Sequence, residues 1–177
     1  MTVKENLTDI YSKLIDAKFI GYNTAKGSRM YGTLSKVSEG NCIETPVAEN
    51  LMVGIAVGMA LQRKFLPVVC FERHEFALYA MGQLGVMADK LPYVGGKQFT
   101  LPMIVRCIKG GTKPLYPGLQ HCGDYADAIS DVMNHSICLD GGVNLTYDGI
   151  AHALNFSASG IVVILEDRDG YEQTVGS

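Results

Sequence analysis

The sequence predicts an α/β protein: a single three-layer domain with a mainly parallel sheet and helices on both faces. Short β-branched runs such as Pro67–Phe71, Met103–Ile108 and Ile161–Glu166 alternate with stretches of helical periodicity from end to end. No low-complexity linker, repeat or compositional break divides the 177 residues, a length that suits one continuous core. Strands joined by helical crossovers are most simply parallel, which places functional loops at their carboxyl ends.

In chain order, the pattern predicts a helix over 5–18, a strand at Phe19–Asn23, a loop and short helix to Glu39, and a strand at Cys42–Glu44. A helix follows from Pro46 to about Lys64, with Thr45 as its N-cap and Pro46 at the first helical position, where the missing N–H is tolerated. Next come a strand at Pro67–Phe71, a helix over Phe76–Asp89, a strand at Met103–Ile108 and a glycine-rich loop. The remainder reads as a helix over 125–135, a strand at Ile137–Leu139, a helix over 145–158 and a strand at Ile161–Glu166. Leu51–Leu61 and Phe76–Ala88 carry no charged residue on any face, so both helices are expected to be buried all round. Gly54, Gly58, Gly82 and Gly85 weaken them as helices, a cost usually offset by close contact, either inside one core or against a second subunit.

Hydrophobic residues make up 47% and charged residues only 19%, so solvated surface is scarce and a protein partner is indicated. The 15 Lys+Arg against 18 Asp+Glu give a net charge of -3 with no dense basic run, which argues against nucleic-acid binding. Five scattered cysteines, without a CxxC pair, read as free thiols in a reducing compartment. The N-terminus lacks a signal-peptide core, and no uncharged stretch reaches the roughly 20 residues that span a bilayer. These features predict a soluble cytoplasmic protein with no membrane contact.

Three clusters carry chemical potential. Glu49 falls in the first turn of its helix, heading an apolar stripe of Met52, Val53, Ala56 and Val57. From spacing alone, the commoner role is to complement the helix dipole while pointing to water; the alternative is a buried carboxyl bonded to a ligand. His74, Phe76 and Tyr79 enter the second uncharged helix, with Phe76 and Tyr79 on one face: either core packing with a loop histidine, or a rim and aromatic shelf for a flat heterocycle. The loop Lys109–Asp124 holds His121, a proton-transfer candidate, although a lone loop histidine is more often only solvated. Leu139–Asn144 reads as a strand-to-helix turn with Asn144 as N-cap, and no phosphate-loop, dinucleotide or nucleophile-elbow motif is present. His135 and His152 suggest no metal site.

Taken together, Glu44–Glu49, Gly54–Ala60, Pro67–Phe71, Phe76–Gln83, Val94–Gly96, Gly118–His121 and the strand Ile161–Glu166 resemble the pyrimidine-binding domain of thiamin-diphosphate enzymes. The likeness is closest to the beta subunit of the 2-oxo acid dehydrogenase decarboxylase component, with transketolase more distant. It implies the thiamin-diphosphate-binding fold and tips Glu49 toward ligand binding. In that family a Glu here hydrogen-bonds the aminopyrimidine ring nitrogen and promotes the imino form that removes the thiazolium proton. By the same resemblance Phe76 and Tyr79 line the pyrimidine pocket and His121 reaches the reaction centre. His74 stands where relatives commonly place an aromatic ring, so imidazole stacking replaces or weakens that contact. Cys122-Gly123 stands where relatives often have Ser-Gln.

The family holds the diphosphate through Mg²⁺ on a separate domain bearing Gly-Asp-Gly and a downstream Asn, and neither that motif nor the family's C-terminal domain occurs in this sequence. The chain therefore resembles half of an active site. The resemblance implies a heteromeric enzyme acting on a small 2-oxo acid, in which an alpha-type subunit carries Mg²⁺ and the diphosphate. Homo-dimerisation would then build a heterotetramer, with the uncharged helices between chains. A transketolase-type transferase subunit and a non-catalytic scaffold that keeps the fold are the alternatives.

Overall fold

The computed structural model describes residues 1–112, 115–156 and 160–175. Six strands form one sheet: β1 (Ala17–Gly21), β2 (Cys42–Glu44), β3 (Leu66–Phe71), β4 (Met103–Lys109), β5 (Ile137–Asp140) and β6 (Ile161–Asp167). Their order is β2-β1-β3-β4-β6-β5 and every neighbouring pair is parallel. Side chains alternate between two cores, as the period of two demands. Val69, Phe71, Met103, Val105, Ile161 and Val163 pack with the helices α2 (Glu49–Gln62), α3 (His74–Tyr79) and α5 (Ala126–Val132). Val68, Cys70, Ile104, Ile108, Val162 and Ile164 pack on the other face with α1 (Val3–Lys13) and α6 (Tyr147–Phe156). The three-layer α/β arrangement expected from the sequence is the one observed. All five cysteines are free thiols, and burial pushes the Cys70 thiol up to about 12.

Several local expectations are corrected. The first helix begins earlier than expected because Thr2 and Glu5 form a reciprocal capping box, at 3.2 and 2.8 Å. It ends at Lys13, and Asp16 turns the chain left-handed (φ 55°) into β1. No α-helix occupies residues 24–38. Arg29, Met30 and Tyr31 all adopt positive φ, and the buried Met30 pins the loop, so successive tight turns replace the expected helical one.

Thr45 does not cap the second helix. It precedes a proline, which disfavours helical geometry, and its N–H instead bonds the Gly21 carbonyl at 3.0 Å, extending the β1–β2 edge. The helix starts at Glu49 after Ala48, which supplies no side-chain cap. Asn144 does not cap α6 either: Thr146 Oγ1 accepts from Gly149 N at 3.0 Å. The expected end of that helix, residues 157–158, lies outside the described residues. The single helix expected over Phe76–Asp89 is instead α3 followed by a π-helix at Gly82–Ala88 and the short α4 (Leu91–Val94). A Cβ on Gly85 would sit 2.1 Å from Val132 Cγ1, so this glycine lets α5 approach the widened turn.

The two uncharged helices are not buried all round. Met52, Val53, Ala56 and Ala60 face the core, but Leu51 and Leu61 are about half exposed, and Val86 and Met87 likewise stand out to solvent. Lack of charge marks surface that avoids water without saying which molecule covers it.

On the α1 face the strand pattern places two charges inside. Arg106 of β4 and Glu166 of β6 are fully buried, joined through Nη2 and Oε2 at 2.8 Å and through a second contact from Nε to Oε1. Tyr11 and Tyr171 donate to the same carboxylate, Arg106 Nη2 reaches Thr33 Oγ1 at 2.6 Å, and the guanidinium lies 4.5 Å over the Tyr11 ring. Removing one member leaves the other charge buried and unpaired. Glu166→Gln or Arg106→Met should therefore lower unfolding free energy by about 3–5 kcal/mol, read by urea titration. A loss under about 1 kcal/mol would place the pair among ordinary surface bridges.

Candidate functional site

The carboxyl ends of β1 and β3 form the crevice of the sheet, because the chain leaves β1 for β2 on one side and returns to β3 on the other. Tyr22 follows β1, Glu49 opens α2, Arg73 to Phe76 follow β3, and the loop ending at His121 follows β4.

Glu49 is partly buried and makes no hydrogen bond or ion pair among the described residues. Its charge is nonetheless felt by Tyr22: burial raises the phenol pKa above its ordinary value, and the Glu72 and Glu49 carboxylates push it further. Tyr22 therefore stays protonated. Its hydroxyl is buried without a hydrogen-bond partner. The Tyr22 ring meets Phe76 edge-on at 5.9 Å, and Phe76 meets His121 edge-on at 5.6 Å. His121 Nδ1 is also buried and unpartnered. The result is an apolar ring flanked by two orphaned polar atoms, beside a carboxylate whose lone pairs are free.

Two side chains at the start of α3 hold the loop that brings His121 there. Arg73 Nη1 donates to the His121 carbonyl at 2.8 Å and to the Gly110 carbonyl, and Glu75 accepts from Gly123 N at 2.8 Å. On the β1 side, Glu72 accepts from Asn23 Nδ2 at 2.9 Å and Ser28 Oγ at 3.0 Å. Glu44 accepts from the backbone N–H groups of Asn23, Thr24, Ala25 and Lys26. Burial opposes its ionisation, but those bonds outweigh it and hold the carboxyl below its usual range. Residues 113 and 114 of the Lys109–Asp124 loop lie outside the described residues.

Of the residues singled out in the sequence, Phe76 and His121 come together, with Glu49 near Tyr22. Tyr79 stands apart, 71% exposed, although it is one turn from Phe76. His74 is 1% exposed and turned toward β4, with Nε2 3.0 Å from the Cys107 carbonyl oxygen, so its ring offers no open face for stacking. Tyr22, Arg73 and Glu75 were not indicated by sequence, since each lies at a strand end or helix start with nothing in its spacing to distinguish it from loop. No cluster of three or more His, Cys, Asp or Glu able to hold a metal ion occurs among the described residues. No described helix is long and apolar enough to cross a membrane.

The family described as transketolase, pyrimidine binding domain, matches residues 4–108. The pyruvate dehydrogenase E1 component subunit beta of Rickettsia bellii is 30% identical over 138 residues, which cover 73% of this chain and 42% of the relative. The mitochondrial subunit beta of Saccharomyces cerevisiae is 28% identical over 134 residues, 71% of this chain and 36% of the relative. The chain of Porphyra purpurea is 36% identical over 72 residues, 41% of this chain and 22% of the relative. This chain thus spans less than half the length of these relatives. Among solved structures, a split gene transketolase, described as an inactive beta4 tetramer, superposes with a TM-score of 0.62 at 14% identity, covering 94% of this chain and 50% of that one.

Burial lowers the His74 pKa below 6.5, with the charges of Asp124 and Glu75 only partly opposing it. The unfolded chain therefore takes up the proton first. The stability His74 contributes is complete above pH 6.5 and is lost as pH falls from there toward its folded-state pKa, at up to about 1.4 kcal/mol per unit. Urea unfolding of wild type and His74→Gln across this range should show a slope in the difference; parallel profiles would mean that the ring is not held neutral.

Proposed function

We propose that this chain, which belongs to the family of transketolase pyrimidine-binding domains, supplies the pyrimidine side of a thiamin-diphosphate site in a heteromeric enzyme acting on a 2-oxo acid. The reaction is decarboxylation with release or transfer of the acyl or aldehyde fragment. The observation that carries this reading is the lone Glu49 carboxylate, heading an apolar helix stripe beside the orphaned Tyr22 hydroxyl. Such an arrangement suits a flat, nitrogen-bearing ring: Glu49 accepts from or shares a proton with a ring nitrogen, Phe76 supplies an apolar wall, and Tyr22 remains a neutral donor. The low dielectric beneath Glu49 strengthens that one hydrogen bond. His121, tethered by Arg73, faces the substrate side, where its free Nδ1 takes or gives a proton. When bound, the cofactor supplies the nucleophilic carbon and the electron sink for cleavage next to a carbonyl. The chain's own part is to bind, orient and protonate.

The diphosphate and its Mg²⁺ belong, in this proposal, to an alpha-type partner, because the described residues offer no metal cluster. The relatives named as E1 beta subunits support this reading by analogy. So does the exposed apolar face of α2 and the π-helix. There Leu51, Gly54, Gly58 and Leu61 form a stripe, and a Cβ added at Gly54, Gly58 or Gly82 would meet nothing within 4 Å. A partner chain packed on this stripe would give those glycines the close neighbour they lack here. Homo-dimerisation of the alpha–beta unit into a heterotetramer would cover the rest of this face.

Two variants test the proposal. Glu49→Gln should fold with unchanged melting temperature yet lower turnover of the assembled complex about 100-fold or more; activity within a few-fold of wild type removes Glu49 from the chemistry. Gly58→Leu should leave the isolated chain stable, there being open space at that position, but abolish co-elution with the alpha-type partner. Normal assembly of this variant would locate the interface elsewhere.

A further inference from the structure

A second cleft lies at the carboxyl ends of β4, β5 and β6, with a volume of about 380 Å³. It is lined by His74, Lys109, Ser130, Cys138, Asp140 and Asp167 among others, and shares no lining residue with the Glu49, Tyr22, Phe76 and His121 cluster. Its size falls within the range of small-molecule sites and far exceeds the share of one water.

His74 makes this cleft more than a groove between loops. The ring is 99% removed from solvent and forms part of the wall, yet its Nδ1 has no hydrogen-bond partner. The tautomer follows from the other nitrogen. Nε2 lies 3.0 Å from the Cys107 carbonyl, which only accepts, so Nε2 carries the hydrogen and donates. Nδ1 of the neutral ring is then a bare acceptor, and whatever completes it must bring a donor. An ionised carboxylate ligand cannot.

The charges around the cleft make the same selection. Lys109 is committed to Asp124 at 2.6 Å, and the Asp167 and Asp140 carboxylates also act on its ammonium group. Three carboxylates thus face one ammonium. Asp140 Oδ1 accepts from Gly142 N at 3.1 Å and Asp167 Oδ1 from Asp169 N at 2.9 Å, which leaves the second oxygen of each without a hydrogen bond among the described residues. Glu166 also lines the cleft, but its charge is matched by Arg106. A metal ion is disfavoured, since no described cluster has metal-ligand geometry.

We propose that this cleft binds a small molecule through a primary ammonium group, which donates to His74 Nδ1 and lies against Asp140 and Asp167. The site is separate from the Glu49 site and holds whether or not the cofactor assignment above survives.

The test uses the full chain with ¹⁵N-labelled histidine and n-propylammonium chloride as probe. Long-range ¹⁵N–¹H spectra should show a saturable movement of the His74 Nδ1 resonance, with sodium propionate and sodium chloride causing none. Asp140→Asn and Asp167→Asn, both at exposed positions, should each weaken binding by about fivefold. His74→Gln should abolish the saturable component, followed in that variant by ligand line broadening. The proposal is overturned if Nδ1 does not move, if propionate moves it equally, or if the two aspartate variants bind as wild type does. A crystal of the amine-soaked protein with water alone on Nδ1 would also sink it.

Discussion

The Arg106–Glu166 pair, sealed beneath α1, ties together parts of the chain that the sheet alone would leave independent. Arg106 sits on β4 and Glu166 on β6, but the same network takes in Tyr11 of α1, Thr33 of the turn-rich loop and Tyr171 beyond the last strand. A parallel sheet has both faces covered, and a charge inside it is tolerated only when it is paired and hydrogen-bonded. Arg106 Nη1 is left without a partner, but the Glu166 carboxylate is fully engaged. Through Thr33 the pair anchors the segment that begins at Tyr22, so the geometry of the crevice depends on an ion pair on the opposite face of the sheet.

The strands were legible because their β-branched runs are short and bounded, and β2 (Cys42–Glu44) is found where it was expected. The helices were legible in existence and less so at their ends, where single interactions decide. A proline after Thr45 sends that residue into a ladder bond, and a hydroxyl at Thr146 outcompetes the amide at Asn144. The π-helix left no trace in hydrophobic spacing, and the close approach of Val132 to Gly85 within it joins residues far apart in sequence. The left-handed run at Arg29–Tyr31 was equally hidden, as none of those residues favours positive φ by itself.

The candidate site was partly legible for a similar reason. Glu49 stood out because a carboxylate at the head of an apolar stripe breaks the pattern around it, and Phe76 and His121 lay in segments whose order matched a known family. Tyr79 shares a helical face with Phe76, but it is the last residue of the six-residue α3 and stands 71% exposed, whereas Phe76 packs against Tyr22 and His121. His74 was read as a loop histidine or as part of a stacking shelf, whereas its Nε2 bonds the strand carbonyl of Cys107 and its ring is buried. Uncharged helices posed a different difficulty: sequence reports that a surface avoids water, and structure is needed to say whether its own core or another chain covers it.

The two ends of the described chain are stitched side by side. Val3 N–H bonds the Gln173 carbonyl at 2.9 Å, Lys4 N–H bonds that of Tyr171 at 3.0 Å, and Val175 N–H bonds that of Met1 at 3.0 Å. Contacts of such wide sequence separation form late. The apolar stripe of α1, formed by Val3, Leu7 and Ile10, therefore gains its final neighbours only once β6 and the segment after it are in place. Packing of the first helix and of the last described segment is thereby one event rather than two.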